Sequence, residues 1–198
     1  KNGTVTEMAK AAIHTARERC RKSGESFDPL EESFLGWEIE KSRGELLAVM
    51  KNSQESKCLR EGAFGIYDWN VAKIDHELFY EIADKELEKG DQGVAGEALG
   101  VVATRPPPID KFLKLGPRVN GQRAIINYIL VLGWYTLLEG KTKAEAMKQL
   151  RMFAEYSDER IKDYAKKTIE NASHYPDDPR PSKKKSDDKD SQDDKRPP

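Results

Sequence analysis

Cysteine is scarce in this chain of 198 residues, which contains only Cys20 and Cys58. Small secreted domains are usually held together by several disulfide bonds, and two cysteines are too few for such a framework. We therefore expect two free thiols in a reducing compartment, with a single bridge between them as the alternative. The expected location is cytoplasmic or intracellular, virion association included.

An excess of charge of one sign is also missing, because 34 basic and 35 acidic side chains leave a formal net charge of −1. That balance argues against a protein that coats nucleic acid through its bulk charge. It leaves room for local charged patches, since net charge averages over them.

Long hydrophobic runs are absent. The most apolar stretch, 124–138 (AIINYILVLGWYTLL), contains no formal charge, whereas 35% of the whole chain is charged. As an α-helix it would be about 22 Å long, which is short of the roughly 30 Å core of a bilayer. We expect no transmembrane segment and interpret 124–138 as the buried central helix of a helical fold.

Histidine is rare, and no nucleophile motif or phosphate-binding glycine loop occurs. The three histidines are His14, His76 and His174. Consecutive residues of a helix point about 100° apart, so Asp75, His76 and Glu77 do not converge on one metal ion. We expect no catalytic site, no metal site and no cofactor.

Periodicity along the chain predicts an all-α fold of about six helices in two helical subdomains. Apolar residues recur at helical spacing over 5–22, 28–50 and 67–89, with a break expected at 42–44. Pro106, Pro107 and Pro108 mark a segment rich in glycine and proline, where the run 93–100 indicates flexibility. The predicted units are an N-terminal three-helix subdomain (1–90), a Gly/Pro-rich basic linker (91–120), a C-terminal three-helix subdomain (121–174) and a disordered mixed-charge tail (175–198).

The tail contains no aliphatic or aromatic residue after Tyr175, so it lacks the apolar surface that folding requires. Its run 183–185 is three lysines, which could serve as a short basic signal. Five aspartates follow directly, and we favour a solubilising tail.

Acidic side chains share one face of the predicted third helix, at positions Glu77, Glu81, Asp84 and Glu88. Paired carboxylates can serve acid–base chemistry or bind cations. A row of acids on an amphipathic helix is more often its solvated face, which is the interpretation we favour.

A basic segment, 105–123, is the strongest candidate for a binding surface, because it holds five cations and one acid, Asp110. A basic loop that leads into a helix N-terminus suits phosphate groups. The basic face of the first helix could extend this surface. The alternative is that these cations pair with acids elsewhere in the fold. The candidate residues are Arg105, Lys111, Lys114, Arg118 and Arg123 in the segment, and Arg17, Arg19 and Arg21 on the helix.

The expected function is a non-enzymatic structural or assembly protein. It would self-associate as a homo-oligomer and bind an anionic partner, RNA or an anionic membrane surface, as small viral matrix or nucleocapsid proteins do. The alternative is a protein–protein adaptor or inhibitor with no nucleic-acid role, using Trp37, Tyr67 and Trp69 as exposed anchors. A third hypothesis is an enzyme that uses His76 and the acidic face of the third helix.

Overall fold

The computed structural model describes residues 2–23, 39–70, 74–104 and 110–174. Over these ranges the chain forms nine helices, eight α and one 3₁₀, and no strand, which confirms the all-α prediction and corrects the number of about six. The helices are α1 (Asn2–Ser23), α2 (Ile39–Lys51), α3 (Lys57–Asn70), α4 (His76–Glu88), α5 (Gln92–Ala103), the 3₁₀ helix (Asp110–Arg118), α6 (Gln122–Tyr135), α7 (Gly140–Ala154) and α8 (Glu159–His174). The tail 175–198, predicted to be disordered, lies outside the described residues.

The single helix predicted over 67–89 is two helices in the structure. This is one reason that the predicted number of helices, about six, was too low. Helix α3 ends at Asn70 and α4 begins at His76. Asp75 starts α4 as its N-cap, and its carboxylate accepts a hydrogen bond of 3.1 Å from the backbone N–H of Leu78. The expected break at 42–44 does not occur, because α2 continues through Gly44.

The predicted linker contains a buried helix. Asp91 caps α5 by accepting hydrogen bonds from the N–H groups of Gly93 and Val94. Helix α5 packs against α3, α4 and α6. A methyl group on Gly96 would lie 3.1 Å from the Cα of Ala124, so this glycine permits close packing of α5 on α6. The division of the chain into two subdomains stays a prediction.

Helix α6 is the central helix predicted from 124–138, and it packs against α5, α7 and α8. Seven of its residues are buried: Ala124, Ile125, Tyr128, Ile129, Val131, Leu132 and Tyr135. Leu130, Leu137 and Leu138 are exposed, so one side of this apolar stretch faces solvent. None of the described helices combines the length and apolar composition that crossing a bilayer requires.

A buried hydrogen-bond network attaches the 3₁₀ helix to α6 and α7. The hydroxyl of Tyr128 donates to Gln149 Oε1 at 2.6 Å, and Gln149 Nε2 donates to the carbonyl of Leu113 at 3.0 Å. Burial raises the pKa of Tyr128, so the hydroxyl keeps its proton. A side chain on Gly116 would collide with Gln149, which explains the glycine there.

The two cysteines form a disulfide bond, which overturns the expectation of free thiols. Cys20 lies on the buried face of α1, with Ala9, Ile13 and Ala16. Cys58 lies in the first turn of α3, and the Cα atoms of the two cysteines are 5.8 Å apart. Their pairing depends on the packing of α1 against α3, a tertiary contact that cysteine spacing alone does not reveal.

Candidate functional site

The basic segment packs against the acidic face of α4. Lys111 pairs with Glu77, and Arg118 pairs with the carboxylate of Asp84. The ammonium of Lys111 also lies 4.2 Å from the ring centroid of Tyr80, where it makes a cation–π contact. These contacts hold the 3₁₀ helix on α4. They also neutralise Lys111 and Arg118, two of the cations predicted from the sequence to bind an anionic partner.

The other cations of the segment have different surroundings. Arg123 makes a bidentate pair with Glu97 of α5, with nitrogen–oxygen distances of 2.8 and 3.0 Å. Lys114 is exposed and forms no ion pair with a described residue. Arg105 lies outside the described residues. Lys114 is therefore the described cation of this segment whose charge is most available to a partner.

The candidate arginines of α1 lie in another part of the fold. Arg17 Nε donates to Glu55 Oε2 at 3.0 Å, and Arg21 pairs with Glu18 one turn away. The hydrogen bond from Arg17 lowers the pKa of Glu55 below its ordinary value. Arg19 is exposed. Helix α1 packs on α2 and α3, whereas the 3₁₀ helix packs on α4 and α7.

The acidic face of α4 is partly solvated and partly paired. Glu77 and Asp84 bind the 3₁₀ helix, while Glu81 and Glu88 are exposed. Across the described ranges, no three His, Cys, Asp or Glu side chains are grouped closely enough to hold a metal ion. The contacts assign this face a structural part in holding the 3₁₀ helix.

An apolar groove of about 310 Å³ lies between α6 and α8. Its lining carries no formally charged side chain. Leu130, Trp134 and Leu137 recur at a spacing of four and three residues, so they follow one another along α6 and the turn after it. Leu130 is 42% exposed and Leu137 is 46% exposed. The lining residues are Ala103, Leu130, Gly133, Trp134, Thr136, Leu137, Thr168, Asn171 and Ala172.

Two close contacts hold the walls of this apolar groove together. The indole N–H of Trp134 donates to the carbonyl of Ala103 at 2.8 Å, which fixes the ring at the end of α5. A methyl group on Gly133 would lie 3.2 Å from Thr168, so α6 and α8 are in close contact at the base of the groove. Tyr164, one turn before Thr168 on α8, is 39% exposed.

Tyr67 is the one aromatic anchor predicted from the sequence whose side chain the structure describes. Tyr67 is fully buried and packs on Phe79 with ring centroids 5.1 Å apart, so its prediction as an exposed anchor was wrong. Trp37 and the side chain of Trp69 lie outside the described residues. Trp134 was missed because 124–138 was interpreted as buried throughout. The missed signal was that 124–138 has more apolar residues than one buried face needs.

No protein family, curated protein or solved structure matches this chain.

Proposed function

We propose that this chain is a non-enzymatic assembly protein that self-associates through the apolar groove between α6 and α8. The observation that carries the proposal is the apolar row in which the exposed Leu130 and Leu137 flank the partly buried Trp134. Exposed apolar surface of this kind is typical of protein–protein contacts.

A second copy of the chain is the occupant that the charge pattern favours. The lining of the groove is uncharged, so two grooves that face each other around a two-fold axis bring no like charges together. Such a self-complementary contact is the commonest form of homodimer. A strongly charged partner would find no opposite charge in the lining.

Replacing Leu137 with aspartate tests this proposal. Because each contact occurs twice in a two-fold dimer, we expect Leu137→Asp to raise the dimer dissociation constant roughly tenfold or more. The measurement is light scattering after size-exclusion chromatography over a range of concentrations. Met152→Asp is the matched control, since Met152 is 65% exposed on α7 and does not line the groove.

Two results contradict the proposal. One is a wild-type protein that stays monomeric up to roughly millimolar concentration, which is the weak end of specific association. The other is an equal dissociation constant for Leu137→Asp and Met152→Asp. Circular dichroism of both variants checks that the helices are intact.

Binding of an anionic partner, RNA or an anionic membrane surface, stays a prediction, and so does the viral analogy. The ion pairs of Lys111, Arg118 and Arg123 weigh against a strong contribution from these residues. Lys114→Glu is the cleanest test because it breaks no ion pair with a described residue, and Lys166→Glu on α8 is its control. Binding of single-stranded RNA should weaken with Lys114→Glu and with added salt.

The Cys20–Cys58 bond supports an oxidising compartment for this protein, since such bonds rarely persist in the reducing cytosol. We therefore propose that the assembly forms outside the cytosol, whereas the sequence led us to expect a cytoplasmic or intracellular location, virion association included. A reaction of the purified protein with a thiol reagent under denaturing conditions, before and after reduction, tests for the bond on which this proposal rests. Free thiols before reduction would contradict it.

A further inference from the structure

A polar pocket of about 370 Å³ lies where the end of α2 meets α3 and α4. Three lysines, Lys51, Lys85 and Lys89, line it and are exposed, and Ser53 adds a hydroxyl group. A volume of this size is at the lower end of the range for small-molecule sites.

A buried arginine forms part of the wall. The side chain of Arg60 is only 5% exposed. Its Nε and Nη2 both donate to the carbonyl of Met50, at 3.0 and 2.9 Å, and Nη2 also donates to Glu86 at 3.0 Å. Nη1 donates no hydrogen bond to any described residue, and Arg60 is among the residues that line the pocket.

Positive charge is in excess around this pocket. Glu86 Oε1 already accepts hydrogen bonds from both Arg60 and Lys89. Burial alone would raise the pKa of Glu86, but these hydrogen bonds outweigh it and lower the pKa, so the carboxylate is ionised at neutral pH. Lys51 and Lys85 make no ion pair with a described residue. The remaining acid in the lining is Glu81.

We propose that this polar pocket binds a small molecule through its phosphate group. Lys51 and Lys85 supply compact positive charges, and Arg60 Nη1 and the Ser53 hydroxyl supply hydrogen-bond donors to the phosphate oxygens. The carbonyl of Met50, at the negative end of α2, does not repel the anion strongly because Arg60 already neutralises it. The volume accommodates a small organic group beside the phosphate. This site is independent of the proposed self-association.

The test is a titration of the full chain with glycerol 3-phosphate and, separately, with inorganic phosphate. The amide chemical shifts in nuclear magnetic resonance spectra are measured at each point of the titration. We expect saturable shifts centred on Ser53, Lys85 and Lys89. Succinate and sodium chloride at equal ionic strength are the comparison titrations. They should produce weaker shifts, because neither carries a tetrahedral dianion.

The variant Lys51→Gln/Lys85→Gln should weaken phosphate binding roughly tenfold or more, since two of the supplied charges are lost. Lys114→Gln/Lys148→Gln removes two cations elsewhere and should leave the affinity unchanged. Arg60 is kept in both, because its replacement would leave Glu86 without its buried partner. Shifts that do not saturate, equal affinity for succinate, or equal loss in both variants would overturn the proposal.

Discussion

Breaking the Cys20–Cys58 bond is expected to lower the free energy of unfolding by about 4 kcal/mol. The two cysteines are separated by 38 residues. In the chain-entropy model, closing a loop of that length lowers the conformational entropy of the unfolded chain by about 13 cal/mol/K. At 25 °C this entropy loss raises the free energy of the unfolded state by about 4 kcal/mol. The folded state should change little, because Ala9, Ile13 and Ala16 keep α1 packed on its neighbours.

The assay is urea unfolding of the oxidised protein, the reduced protein and the double variant Cys20→Ala/Cys58→Ala. With a denaturant slope of about 2 kcal/mol/M, the midpoint should fall by about 2 M urea in the reduced protein. The urea midpoint of the double variant should be slightly lower still, because Cys20 is buried and removing its sulfur leaves a small cavity. A loss below about 1 kcal/mol would refute the reasoning, because it would mean that the bond does not restrict the unfolded chain.

Three further predictions concern packing, hydrogen bonding and pH. Gly96→Val should destabilise the fold by about 1–3 kcal/mol in thermal unfolding, because α6 leaves no space for a side chain there; a neutral effect would contradict the close packing of α5 on α6. Tyr128→Phe should cost about 1–2 kcal/mol by leaving Gln149 without its donor, whereas Tyr156→Phe, which removes no hydrogen bond to a described residue, should be neutral. Because the pKa of Glu86 is lowered in the folded state, its stabilising effect is present at neutral pH and is lost as the pH falls through that value. The stability difference between wild type and Glu86→Gln should therefore shrink from about pH 7 to about pH 3 in urea titrations, and a constant difference would contradict the ion-pair assignment.

Local periodicity predicted the parts of the fold that depend on one amphipathic helix at a time. The buried stripe of α1 was visible because Ala9, Ile13, Ala16 and Cys20 recur at helical spacing. Helix α5 was not, since its glycines lower helix propensity and their purpose, close contact with α6, is a tertiary feature. A helix buried on most sides shows little periodicity, which is why the run 93–100 was interpreted as flexible instead of helical.

The candidate surfaces show the same limit. The sequence located the cations of 105–123 and the acids of α4, and pairing with acids elsewhere in the fold was the alternative interpretation. It did not identify acids of that helix, 34 residues away, as the partners of Lys111 and Arg118. It also located Trp134 in the apolar stretch without indicating which side of α6 stays uncovered. Both depend on which helices pack together, and composition carries no information about that.

Isotope-filtered nuclear magnetic resonance on an equal mixture of labelled and unlabelled protein tests the proposed self-association most directly. It detects only contacts between the two copies. The account predicts intermolecular contacts between the methyl groups of Leu130 and Leu137 in one copy and the ring of Trp134 in the other, and their loss in Leu137→Asp. Intermolecular contacts confined to other surfaces, or none in a concentrated sample, would contradict it.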